Sequence, residues 1–264
     1  MAFDFHNNKE EYFNQQKINA ATYVIPFIEK MKSIGPNTSV LEIGCAEGGV
    51  LMAFLEKGCT GVGVELMPGR LEQAKIFLDK FAKEDKVELI NKNIYDVDLA
   101  DSFANRFDII VLKDVIEHIY DQEKLFLKMK EFLKPGGQIF FGFPPWQMPF
   151  GGHQQICKGN LSKFPYFHLL PMSVYKWVLK LGGESQGVID SLVEIKETQI
   201  SIGQFEGFTK KTGYKIISKQ LFFINPIYIY KFGLKAKKQN VFVGSIPFLR
   251  NFVTTCAYYT IAIK

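Results

Sequence analysis

With 264 residues, 47% of them hydrophobic, the chain can bury a full core as one embellished domain. No apolar run reaches the roughly 18 residues that a bilayer span requires, and residues 1–13 lack the basic-then-apolar pattern of a secretory leader, so a cytoplasmic location is expected. The four cysteines form no CxxC pair and no zinc-type spacing, and a net charge of +5 is too weak a footprint to predict a nucleic-acid partner.

A helical pattern runs over residues 8–33, with Tyr12, Ile18, Ala21, Val24, Ile25 and Ile28 at its apolar positions and a bend expected at Pro26. Gly35 and Pro36 end it. Strand-like and helical runs then alternate: VLEIG and VLMAFLEKG, CTGVGVEL and PGRLEQAKIFLDKFAKE, KVELINKNI, FDIIVLKDV and DQEKLFLKMKEFLK, and finally QIFFGFPP. This rhythm predicts an α/β fold with a doubly wound, mostly parallel sheet. Almost wholly apolar strands, such as residues 108–112, fit a sheet covered on both faces.

After Pro145 an aromatic, Gly- and Pro-rich stretch followed by helical patterns to about Lys211 reads as an inserted lid over the carboxyl ends of the strands. Residues 214–223 and 254–263 are expected to pair as an antiparallel C-terminal hairpin at one sheet edge. The single domain then divides into a helical cap (1–35), a cofactor-binding core (36–145), a substrate-side insertion with helices (146–212) and the C-terminal hairpin with its aromatic and basic connection (213–264).

The stretch VLEIGCAEGG, residues 40–49, is a strand, a glycine turn and a helix start. In open parallel sheets ligands bind outside the carboxyl ends of the strands, where N–H groups of the turn and helix face outward. Gly44 and Gly48 permit positive φ and close approach of the backbone. Their spacing is G-x-x-x-G, with Ala46 where a nicotinamide-type G-x-G-x-x-G turn needs its second glycine, so the dinucleotide fingerprint is excluded. Glu65 closes the next strand, where a carboxylate can accept hydrogen bonds from two vicinal ribose hydroxyls.

These motifs, with FDIIVLKDVIEHI and LKPGGQIFF in the same order, resemble the class I S-adenosylmethionine-dependent methyltransferases, and within them the ubiquinone and menaquinone methyltransferases. The resemblance is strong over residues 38–145 and only in outline elsewhere. It implies a Rossmann-like, seven-stranded sheet, S-adenosyl-L-methionine as cofactor, and a site built from Glu42, Gly44, Cys45, Ala46, Gly48, Glu65, Leu66, Asn93, Ile94 and Lys113. In it Glu42 neutralises the cofactor ammonium, Glu65 takes the ribose, Leu66 flanks the adenine, and the amide oxygen of Asn93 replaces the usual aspartate against the adenine amino group.

Methyl transfer from a sulfonium needs an aligned nucleophile and, for some acceptors, a base. His118, after the fourth strand, and His153, in FGGHQQ, are the candidates; either can play this part or simply pack. His6 and His168 receive no role. Trp146, His153, Gln154 and Tyr166 are expected to meet the acceptor, with the aromatics favouring an apolar, planar or lipid-like small molecule or forming a core beneath the loop. No Asn/Asp-Pro-Pro-aromatic element follows the fourth strand, which disfavours methylation of nucleobase amines, and FPPW offers Asp114 no partner for a hard cation. Metal-independent O- or C-methylation is expected, with N-methylation of a small amine left open and a non-catalytic cofactor-binding module as the alternative. No Asp or Glu follows Glu206, so the C-terminal part is basic. It is either a solvated lysine surface or a face for peripheral contact with an anionic membrane.

Overall fold

A computed structural model describes residues 8–264, apart from the side chains of residues 97 and 98; most of the leader reading at residues 1–13, and His6 with it, lies outside the described residues. Five strands run parallel: β1 (Ser39–Ile43), β2 (Thr60–Val64), β3 (Val87–Ile90), β4 (Phe107–Lys113) and β5 (Leu133–Phe143). Three more follow, β6 (Tyr214–Ile224), β7 (Lys237–Lys238) and β8 (Cys256–Ile263): β8 pairs antiparallel with β5, β6 antiparallel with β8, and β7 antiparallel with β6. The sheet order is β3-β2-β1-β4-β5-β8-β6-β7. Because the chain reverses direction across the sheet between β1 and β4, a crevice opens at the carboxyl ends of those two strands, the position where such sheets bind ligands.

The sheet has eight strands rather than seven, the extra one being the two-residue β7 on the outer edge. The expected antiparallel pairing of residues 214–223 with 254–263 is present as β6 with β8, with β8 on the inner side against β5 and β7 added outside β6. The burial explains the order. Ala257, Tyr258, Tyr259 and Ile261 of β8 are wholly covered, as an interior strand must be, whereas β6 exposes Lys215, Ile216 and Lys219 and is closed off by the two lysines of β7. Charged, short edge strands discourage further pairing.

Helices cover both faces. On one lie α1 (Lys9–Asn19), α2 (Ile25–Glu29) and α3 (Gly49–Glu56); Ile28, Leu51 and Phe54 of these helices, with Val24 from the turn between α1 and α2, pack on Val40, Ile109 and Phe140. On the other, α6 (Val97–Phe103), α7 (Gln122–Phe132) and α10 (Ile202–Lys211) pack Phe103, Phe126, Phe132 and Phe205 against Leu41, Ile110 and Phe141. The expected bend near Pro26 takes the form of a π-helical turn, Ala20–Val24, between α1 and α2. Proline has no N–H for the carbonyl four residues back and its ring crowds that carbonyl, and a wider turn relieves both. The run PGRLEQAKIFLDKFAKE breaks into α4 (Pro68–Phe77) and α5 (Asp79–Lys83) at the buried Leu78. The strand read in KVELINKNI stops at Ile90, because the Asn91 side-chain amide donates to the carbonyls of Glu65 and Leu66.

Residues 146–198 carry three short 3-10 turns, then α8 (Met172–Leu181) and α9 (Gln186–Thr198), around a small core of their own made by Cys157, Tyr175, Leu179, Ile189 and Leu192. Between β6 and β8 lie α11 (Tyr228–Phe232), β7, α12 (Val241–Ser245) and α13 (Leu249–Phe252). No helix among the described residues is long and apolar enough to cross a membrane.

Candidate active site

The glycine turn leaves β1 at Ile43 and enters α3 at Gly49. Gly44 and Gly48 both take positive φ, 70° and 84°, as their spacing predicts. A Cβ on Gly44 would sit 2.6 Å from Val115 Cγ2, so this glycine lets the loops after β1 and β4 close on each other. Ala46 also adopts positive φ, 49°, despite its side chain. The N–H groups of the turn, expected to face outward, are used inside the protein: those of Gly44 and Cys45 donate to Val64 O, and that of Ala46 donates to Glu65 Oε2 at 2.9 Å. A turn with its donors consumed in this way is no anion nest, in keeping with a cofactor that has no phosphate.

Glu65 accepts a second N–H, that of Met67, on Oε1 at 2.8 Å, so its carboxylate is fixed by both strand ends and keeps further lone pairs on each oxygen. Glu42 is buried within β1, with Oε2 lacking any partner among the described residues, and burial pushes its carboxyl well above the ordinary range. A buried carboxylate oxygen left in this state calls for a cationic or hydrogen-bonding ligand. Glu42, Gly44, Cys45, Ala46 and Lys113 line one cleft together with Tyr12, Phe13, Gln16, Glu47 and Gly49. Leu66 is exposed beside Glu65, Ile94 is buried, and Asn93 is exposed with its amide oxygen already accepting from the Tyr95 N–H in a local turn.

Sequence reasoning does not find the contribution of α1. That helix lies across the glycine turn so closely that a Cβ on Gly49 would meet Phe13 O at 2.5 Å, and Lys17 pairs with Glu56 of α3 at 3.1 Å. The signal available was the polarity of its inner face: Gln15, Gln16 and Asn19 are buried, although the apolar pattern alone predicts an ordinary hydrophobic stripe. Tyr12 and Gln16 thereby become walls of the cleft.

On the other side of the cleft, after β4, Lys113 is buried and its ammonium donates to Asp114. Burial opposes both charges, yet each holds the other ionised: the Lys113 pKa rises above the ordinary lysine range and that of Asp114 falls below the carboxylate range. Asp114 has φ 56° and is followed by a short turn, Ile116–His118, held in place by Thr198 Oγ1 donating to Glu117 O and by Gln122 Nε2 donating to Ile116 O. His118 is exposed at the rim, and His153, at φ 54°, meets it edge to face with ring centroids 5.2 Å apart. The ligand atoms of Glu117, His118 and His153 all lie within 4.8 Å of one another. Although an edge of His118 is exposed, desolvation by the surrounding loops lowers its pKa, and burial with the neighbouring His118 lowers that of His153 to about 4. Lys231, from α11, lies over the Tyr12 ring at 6.0 Å and near enough to Asp114 and His153 to act on both charges, which brings one residue of the basic C-terminal part into the site.

The expected acceptor contacts do not all come together. Gln154 is fully buried and its amide donates to Pro149 O at 2.8 Å and to His168 Nδ1 at 3.1 Å, so it braces the insertion. Trp146 is also buried, against the edge of His168 and beneath Lys196. An amide next to two glycines looks mobile in sequence, but here the glycines allow tight packing: a Cβ on Gly152 would meet His168 Cβ at 2.3 Å. Tyr166 remains half-exposed, with its ring near Phe252.

Residues 13–153 match the family described as Methyltransferase domain. A ubiquinone biosynthesis O-methyltransferase of Coxiella burnetii is 29% identical over 102 residues, 39% of this chain and 42% of that protein, so the likeness spans less than half of the relative. Among solved structures, a geranyl diphosphate C-methyltransferase of Streptomyces coelicolor A3(2) superposes with a TM-score of 0.58 at 13% identity, covering 92% of this chain and 76% of that one. An S-adenosylmethionine-dependent methyltransferase of Clostridium acetobutylicum does so with a TM-score of 0.55 at 14% identity, covering 94% and 92%. At such identities the structures speak for the Rossmann-like fold alone. The chain belongs to the methyltransferase-domain family, which implies S-adenosyl-L-methionine as its cofactor.

Proposed function

We propose that the chain moves the methyl group of S-adenosyl-L-methionine to an oxygen or carbon of a small molecule. The observation that carries this reading is the placement of the cleft-lining Glu42 at the end of β1 and of Glu65, fixed by two backbone N–H groups, at the end of β2, with a polar group made by Asp114, Glu117, His118 and His153 after β4 and β5. Glu42 would face the cofactor ammonium, and Glu65, with its orientation set by Ala46 and Met67, would hold the ribose hydroxyls. Leu66 and Ile94 would flank the adenine, and Asn93 would offer its amide to it. When bound, the cofactor supplies an electrophilic methyl group in line with the acceptor. His153 or His118 accepts the acceptor's proton at a ring nitrogen, which their neutral state allows. The name of the Coxiella relative favours a phenol-type hydroxyl, and the half-exposed Tyr166 would meet such a ring.

The reading is tested in two stages. Calorimetric titration with S-adenosyl-L-homocysteine measures cofactor binding, and a methyl-release screen over phenols, quinols, carboxylates and stabilised carbanions measures transfer. Binding without transfer to any of these classes would refute the small-molecule O- or C-methyl reading.

A second reading, an acceptor held in a membrane, rests on α12. Val241 and Phe242 are 82% exposed there, with Lys235, Lys237 and Lys238 exposed on the segment before it. Apolar side chains flanked by lysines suit an anionic lipid surface. Vesicles with anionic headgroups should then retain the protein, and charge reversal at the three lysines should release it. Equal retention of the two forms would remove this reading.

A further inference from the structure

We infer that Glu117, His118 and His153 form a binding site for one divalent transition-metal cation, zinc or a close neighbour of it, on the acceptor side of the cleft. The first support is geometric. One carboxylate and two imidazoles, from the turn after β4 and from the loop after β5, place their ligand atoms within 4.8 Å of one another. Ligands about 2 Å from a shared ion stand roughly 3 to 4 Å apart, so small side-chain rotations complete the set. The two rings meet edge to face rather than through a hydrogen bond, which leaves their nitrogens available.

The second support is independent of the spacing. Glu117 is buried, and neither of its carboxylate oxygens has a hydrogen-bond partner among the described residues. A buried carboxyl group without partners is costly in either protonation state. Nothing in the local backbone forces it inward for packing alone, because Thr198 and Gln122 hold this turn through the carbonyls of Glu117 and Ile116 and not through the carboxylate. With Asp114 close by, two acids face the same space, and Lys113 is already engaged by Asp114. A divalent cation would offset the remaining charge.

The donor set selects the ion. Magnesium and calcium prefer shells of oxygen, whereas two imidazoles with one carboxylate suit zinc, iron, cobalt or manganese. Three protein ligands leave a coordination position open, where an acceptor hydroxyl could bind and lose its proton to solvent more readily; with the cation bound, His118 and His153 serve as its ligands in place of acting as the base. FPPW offers no oxygen ligand; the imidazole of His153, a residue in the left-handed region, stands in its place beside the residues after β4. Binding of the cation does not depend on the methyltransferase reading, but its use in activating an acceptor rests on it.

The test uses the full chain, freed of metal with a chelator and titrated calorimetrically with zinc, manganese and magnesium chlorides. One equivalent of zinc should bind, magnesium should not compete, and cobalt should give visible ligand-field bands. Glu117→Gln and His118→Ala should each weaken zinc at least about tenfold, while His153→Asn, a residue type that tolerates positive φ, guards against loss of the loop fold. All forms are also titrated with S-adenosyl-L-homocysteine. Retained binding of it shows an intact fold, so a variant that keeps wild-type zinc affinity, or a wild type that takes up no stoichiometric zinc, overturns the site. Failure of the wild type to bind S-adenosyl-L-homocysteine would count against the methyltransferase reading and leave the zinc result standing by itself.

Discussion

The carboxylate of Glu65 accepts the backbone N–H of Ala46, so the acid that closes β2 is tied directly to the turn that closes β1. Since Met67 N–H occupies the other oxygen, Glu65 has one orientation available. Glu65→Gln would turn an NH2 group toward one of these two donors and leave a partly buried N–H unsatisfied, at a cost of about 1–3 kcal/mol. The ribose contacts would suffer with it. We expect affinity for S-adenosyl-L-homocysteine to fall on the order of tenfold to a hundredfold, read by calorimetry, with a modest drop in melting temperature. Unchanged affinity would remove the ribose role from this residue.

Gly44 and Ala46 share a left-handed backbone but differ in what surrounds them. At Gly44 an added Cβ meets Val115 Cγ2 at 2.6 Å, so Gly44→Ala combines backbone strain of roughly 1–2 kcal/mol with a steric conflict. Val115→Ala would remove the conflict and not the strain. The double variant should therefore be more stable than the sum of the single changes predicts, by a coupling of about 1 kcal/mol in denaturant midpoints. Ala46→Gly, where the side chain already tolerates its φ of 49°, should stay within about 1 kcal/mol of the parent, because relief of strain and loss of backbone order oppose each other.

The geometry of the glycine turn and Glu65, the proposed cofactor half of the cleft, was legible because its signals are local. A strand, two glycines at fixed spacing and an acid at the end of the next strand are neighbours through the parallel register that places Val40 beside Gly61 and Ile43 beside Val64. The proposed acceptor half was legible only in part: His118 and His153 stand out in sequence, but the group is assembled from α1, the turn after β4, the loop at His153 and α11, segments far apart in the chain whose meeting depends on tertiary packing. Asp114 and Glu117 lie within FDIIVLKDVIEHI, yet only burial and proximity bring them together with Lys231. Gln154 and Trp146, a polar and an aromatic residue in a lid-like stretch, brace that stretch, and for Trp146 this is the core beneath the loop that the sequence also offered. The edge strand β7 escaped notice because two lysines carry no strand pattern.

Lys113 and Asp114 form an ion pair in which one side chain is 3% and the other 37% exposed. The half that loses its partner matters. Lys113→Met leaves the Asp114 carboxylate without the charge that holds its pKa down, and stability should fall by about 1–3 kcal/mol, less than for a fully buried pair because water reaches Asp114. Asp114→Asn added to it removes the orphaned charge while keeping a residue suited to φ 56°. Urea titration should find the double variant more stable than Lys113→Met. The reverse order would mean that Asp114 draws its compensation from elsewhere, with Lys231 the first candidate.

His168 sets a pH dependence whose sign follows from its two hydrogen bonds. The carbonyl of Trp146 can only accept, so Nε2 carries the proton and donates to it at 2.8 Å; Nδ1 is then the acceptor for the Gln154 amide at 3.1 Å. A second proton, on Nδ1, would face that amide's own N–H. Burial, the larger cause, and the nearby Lys196 hold the pKa of His168 at about 4, against the ordinary 6.5. Between these values the unfolded chain binds a proton that the folded protein refuses, so stability is full above about pH 6.5, declines as pH falls toward 4 and levels off below it. His153 acts in the same direction over the same window. Replacing His168 by Gln should lower stability near pH 7, where its hydrogen bonds are lost, and flatten the decline between about pH 6.5 and 4.5. Urea midpoints of parent and variant across that range measure both effects. Parallel curves would show that the acid sensitivity arises from carboxylates such as Asp108, whose pKa, held at about 2 by Lys134 and Ser39 against the cost of burial, places its own loss of stability at lower pH.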